Sequence, residues 1–138
     1  MKRIATLAFV SALASATGAT AQDDDKRNAK GEAELAKILE DRVAGEPQRC
    51  LAETKRRNLE IVDGTAIVWR DGDTIWVNRT RSPQFLDDFD LPVFKIFGND
   101  LCRLDQVEMR DRTGGVPGPV IGLADFVPYR TVDSDTGA

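Results

Sequence analysis

Histidine is absent from all 138 residues, which removes the commonest general base and the commonest metal ligand together. Without it, and without a Gly-x-Ser-x-Gly segment, serine-hydrolase chemistry of the usual kind is excluded. No uninterrupted apolar run reaches the ~20 residues that a membrane-spanning helix needs. Basic charge is in deficit too. The chain carries 19 basic and 23 acidic side chains, a net charge of −4, so it repels nucleic acid and anionic membrane on average. Cysteine is limited to Cys50 and Cys102, too few without histidine to furnish a zinc site easily.

What is present starts with a leader. Lys2 and Arg3 precede a small apolar stretch from Ile4 to Ala16, and Ala19-Thr20-Ala21 supplies the small-x-small pattern read by signal peptidase. The acidic run Asp23-Asp24-Asp25 follows at once. This layout predicts a signal peptide over residues 1–21, a mature chain starting at Gln22, and residence in the periplasm or outside the cell. No cysteine lies near the cleavage point, which argues against a lipid-anchored N-terminus, and no membrane insertion is expected after cleavage. Losing Lys2 and Arg3 takes the net charge from −4 to −6. In such a compartment two cysteines favour a Cys50–Cys102 disulfide, with two buried free thiols as the alternative.

Residues 22–30 are polar and read as a disordered lead-in. Over residues 31–45 Leu35, Ile38, Leu39 and Val43 recur at spacings of three and four, the stripe of an amphipathic helix, with Gly45 and Pro47 to stop it. Residues 46–130 then read as a small antiparallel β-sandwich or barrel, so the fold class is mainly β with one N-terminal helix. Strands are expected at Arg49–Thr54, Leu59–Val62, Thr65–Trp69, Thr74–Asn78, Val93–Phe97, Gln106–Arg110 and Ala124–Tyr129. Thr113 to Pro119 is rich in glycine and proline and reads as a wide connection, and residues 131–138 as a loose tail. Asp71-Gly72 suits a type I′ hairpin turn, with Trp69 opposite Thr74 and Ile67 opposite Trp76. Both faces of that hairpin are apolar, so at least one must be covered.

Few residues point to chemistry. Trp69 and Trp76 lie close in any register and are either core residues or a candidate ligand platform. Asp87, Asp88 and Asp90 sit between Phe85 and Phe89. Asp88 and Asp90 invite comparison with a calcium loop, but the glycine and glutamate of an EF-hand are missing. Three short basic clusters, Lys55-Arg56-Arg57, Arg79-Thr80-Arg81 and Arg110-Asp111-Arg112, have acidic neighbours and read as surface ion pairs. Asn78-Arg79-Thr80 matches the N-glycosylation triplet. No catalytic residue, metal ligand or cofactor is assigned.

Cys50, Asp63-Gly64-Thr65-Ala66-Ile67-Val68, Val77-Asn78-Arg79, Leu101-Cys102-Arg103-Leu104-Asp105 and Asp125-Phe126-Val127-Pro128-Tyr129-Arg130 resemble a family of small uncharacterised exported proteins of Gram-negative bacteria. The resemblance spans Cys50 to Arg130 and omits the helix. It implies a bacterial envelope setting and a role for both cysteines, and it brings no activity. The functional expectation is therefore a non-enzymatic exported domain that binds a partner protein or small ligand, or supports the envelope. A hydrolase built on Asp87, Asp88 and Asp90 is the alternative. Carboxylates converging in a cleft favour the enzyme, and an exposed tryptophan surface favours binding.

Overall fold

The computed structural model describes residues 19–132, with side chains from residue 22 onward. Most of the expected leader and the end of the expected tail therefore lie outside the described residues. The chain is mainly β, with one helix and antiparallel sheets in a sandwich-like arrangement. Helix α1 spans Ala19–Ile38. Ten strands follow among the described residues: β1 (Arg42–Ala44), β2 (Cys50–Leu51), β3 (Leu59–Val62), β4 (Ala66–Asp71), β5 (Thr74–Asn78), β6 (Leu91–Lys95), β7 (Leu101–Cys102), β8 (Gln106–Arg110), β9 (Pro117–Gly122) and β10 (Phe126–Thr131).

The strands form a five-stranded sheet in the order β1-β10-β5-β4-β3, a three-stranded sheet β6-β8-β9 and a short pair β2-β7. Alternation decides which residues meet between them. Ile61, Ile67, Trp69, Trp76 and Phe126 leave one face of the large sheet and join Val107, Met109 and Ile121 of the smaller one, with Leu51 and Leu101 from the short pair. Ala66, Val68, Ile75 and Val77 leave the opposite face and are covered by Leu35, Ile38 and Leu39. Helix, large sheet and small sheet thus form successive layers, and both apolar faces of the β4–β5 hairpin are buried.

Three expectations change. The lead-in over residues 22–30 is helical. Its attachment is polar, through Arg27 to Asp63 and Asn28 to Gly64, so it leaves no apolar stripe to read. Gly31 lets the helix approach closely, since a Cβ there would lie 2.0 Å from Thr65 Oγ1. At its other end the helix stops at Ile38 rather than near Ala44, Asp41 adopts φ 60°, and Arg42–Ala44 becomes the edge strand β1 paired with β10. The expected connection at Thr113–Pro119 instead leads into β9, which begins at Pro117. Proline is tolerated there because β9 pairs on one side only, and its ladder with β8 is irregular near Glu108 and Arg110.

The hairpin is also shifted. Asp71 pairs with Thr74 and Trp69 with Trp76, so the turn residues are Gly72 and Asp73. Gly72 has φ +56° while Asp73 is not among the positive-φ residues, which matches type II′ rather than type I′. A two-residue shift keeps every side chain on its face, which is why the expected face assignments survive the wrong register.

Candidate functional site

The two tryptophans belong to the core. Trp69 and Trp76 are each 1 % exposed, and Trp69 packs its ring at 5.6 Å from Phe126 and 6.0 Å from Phe94. Lys55 Nζ lies 5.0 Å from the Trp76 ring centre and covers it. Neither ring is exposed enough to stack on a ligand, so the platform gives way to core packing: the large sheet turns both side chains inward from directly paired positions. The Trp76 indole N–H is buried without an acceptor. Asn78, the acceptor of the glycosylation triplet, is fully buried. Its Nδ2 donates to the Ala124 carbonyl at 2.7 Å, while its Oδ1 accepts from Thr80 and Ala124, so a glycan has no access in this fold.

Cys50 and Cys102 are bonded across the β2–β7 pair, where they are direct partners with Cα atoms 4.0 Å apart. The chain that follows Cys50 supplies Glu53, Arg56 and Leu59, which line the open side of the sandwich.

On that side β3, at one margin of the large sheet, and β6, at one margin of the small sheet, line the same space. Leu59 divides the space into two recesses. The first, about 400 Å³, is lined by Glu53, Arg56, Leu59, Trp69, Phe94 and Leu101. Its apolar wall comes from inward positions of both sheets, and its polar residues come from the turn after β2. Arg56 donates through Nη2 to the Asn99 carbonyl at 3.1 Å, whereas its buried Nε has no acceptor. An unmet buried donor on a guanidinium costs free energy until a polar group reaches it. The second recess, about 330 Å³, is lined by Glu34, Glu60, Asp88, Asp90 and Arg112 around Leu59, Ile61 and Pro92. Burial, then the nearby Asp87 and Asp111 carboxylates, push the Asp90 carboxyl above its ordinary value.

The expected acidic trio is split. Asp88 and Asp90 line the second recess, while Asp87 and Asp88 approach Asp63, the three presenting ligand-type oxygens within 4.8 Å of one another. Arg27 already serves that group as its cation. It grips Asp63 through Nε at 3.0 Å and Nη2 at 2.7 Å, and Nη2 also donates to the Leu86 carbonyl. The Arg27 guanidinium holds the Asp63 carboxyl below its usual range.

Sequence reasoning places Arg56 in a basic cluster read as surface ion pairs, and it misses Glu53, Glu34 and Glu60 as lining residues. Each sits in an ordinary charged neighbourhood, and only the juxtaposition of two strand edges brings them together. A third recess of about 330 Å³ lies beside Val77, Val127 and Tyr129 on the helix-bearing side of the large sheet. Comparison with family models, with curated proteins and with solved structures finds no match.

Proposed function

We propose that the chain is an exported, non-catalytic binding domain of the bacterial envelope, periplasmic or secreted, whose ligand enters the open side of the sandwich beside Arg56. The leader over residues 1–21 and the family resemblance support the setting. The Cys50–Cys102 bond fits an oxidising compartment, and no described helix is long and apolar enough to cross a membrane. Cleavage before Gln22 would spare the helix's docking contacts to the sheet, which begin at Arg27.

The observation that carries the reading is the Arg56 recess. Leu59, Trp69, Phe94 and Leu101 supply an apolar wall, and Arg56 brings a guanidinium whose buried Nε–H no described residue accepts. A mostly apolar body with an acceptor or anionic head suits that lining, since a guanidinium recognises such heads directionally. Protein isolated from the periplasm should start at or near Gln22 and carry a co-purified species in native mass spectrometry. Arg56→Ala should lose the species, and Arg79→Ala, on the far side of the large sheet, should keep it. Empty wild-type protein, or equal occupancy in both variants, would overturn the reading.

The acidic recess favours a second reading, a carboxylate-based hydrolase. Asp88 and Asp90 line one cleft, and the raised affinity of Asp90 for a proton suits a general acid. Release of reducing sugars from envelope polysaccharide, abolished by Asp90→Asn, would establish it. No release by wild-type protein would remove it.

A further inference from the structure

The two larger sheets end in four strands, and three of these are protected against further pairing. Strands β6 and β9 carry proline, at Pro92 and at Pro117 and Pro119, and β1 is only three residues long. Proline and brevity are common ways of blunting a sheet edge. Strand β3, Leu59-Glu60-Ile61-Val62, has no proline and is one residue longer than β1, and among the described residues it pairs only with β4. Its margin is open at Leu59 and Glu60 and closes toward the buried Ile61 and Val62. The open end borders the furrow made by the two recesses, with Pro92 and Phe94 of β6 also lining it.

From this margin and its charge we infer that the furrow takes an extended peptide segment of another polypeptide, added as a further strand along β3. This rests on the binding reading above and names the class of ligand, a main-chain carbonyl of the segment being the acceptor offered to Arg56. Main-chain hydrogen bonds to β3 would hold the segment, and alternate side chains would enter the two recesses. The recess between Glu34, Glu60, Asp88 and Asp90 sets four carboxylates against Arg112 and against Arg70, which already holds Glu60 at 2.8 Å, and the remaining excess of negative charge selects basic side chains. The other, walled by Leu59, Trp69, Phe94 and Leu101, selects an apolar one. A second copy of this chain is a poor occupant, because β3-to-β3 pairing would bring the same carboxylates together from both sides.

The test uses the full disulfide-bonded protein and an acetylated heptapeptide alternating lysine and valine, followed by backbone amide shifts. Saturable binding should shift the amides of Leu59, Glu60 and Ile61. N-methylation of alternate peptide residues keeps the charge but removes main-chain donors, and it should weaken binding at least about tenfold. The combined Asp88→Asn and Asp90→Asn variant should lose about fivefold or more, and a glutamate–valine peptide should not bind. Equal affinity for the N-methylated peptide, shifts confined to the acidic residues, or self-association through β3 would each overturn the inference. Should the peptide fail while the co-purified species still depends on Arg56, strand addition falls and the binding reading stands.

Discussion

Arg27 and Asp63 show how much one charged pair can reveal that periodicity hides. The pair clamps an otherwise polar stretch of helix to the turn after β3, and only the fold brings residues 36 apart into contact. Because the Asp63 pKa is depressed in the folded chain, its stabilising effect is present above the ordinary aspartate range and is lost as pH falls through the lower folded value. Glu108 behaves likewise: Lys95 at 3.0 Å and then Arg110 at 2.7 Å hold its carboxyl down on the outer face of the small sheet. Acid titration of stability should therefore show a falling limb below the usual carboxylate range. Arg27→Met should flatten it, and an unchanged limb would mean that the pair contributes nothing measurable. The tryptophans make a second commitment at this scale. Trp69→Ala and Trp76→Ala should each cost roughly 3–5 kcal/mol in urea unfolding, the usual penalty for emptying a buried aromatic site. Wild-type stability in both would contradict their burial.

Among the elements, the β4–β5 hairpin has the most exacting requirement. Gly72 at φ +56° has no atom within 4 Å of a notional Cβ, so substitution there meets backbone strain and no collision. Gly72→Val should cost about 1–2 kcal/mol, whereas Asp73→Asn should be nearly silent. Equal unfolding midpoints for wild type and Gly72→Val would place the turn elsewhere. The strands legible in the sequence were those with β-branched or alternating apolar residues: Leu59–Val62, Thr74–Asn78 and Gln106–Arg110 fall at their expected limits. Strand β9 was hidden because its prolines oppose pairing in general, and only its edge position permits them. Strand β1 was hidden because Val43 continues the helical spacing, and the turn at Asp41 overrides it. The candidate site was less legible still. Asp88 and Asp90 were visible as an acidic run, but Arg56 and Glu53 acquire meaning only from the recess they share with Phe94.

At the scale of the molecule, three layers and one covalent tie define the fold. The Cys50–Cys102 bond closes a loop with a sequence separation of 52, which in the chain-entropy model is worth about 4 kcal/mol against the unfolded chain. Cys102→Ser should lower stability by an amount of that order, and denatured protein from an oxidising compartment should show no titratable thiol without reductant. Two reactive thiols per molecule would refute the bond. The antiparallel pairing of Arg42 with Thr131 has a mechanical consequence, for the chain enters and leaves the large sheet at one corner. A load applied between residues 42 and 131 would peel β1 from β10 pair by pair, instead of shearing the whole ladder at once. Beyond the Gln48–Phe126 bridge and the β10–β5 ladder the same load would meet the cross-link, and the 52-residue separation inside it would withhold roughly 170–190 Å of chain from extension. Stretched between its ends, this domain would yield early and stop short, and single-molecule pulling with and without reductant would read the difference directly.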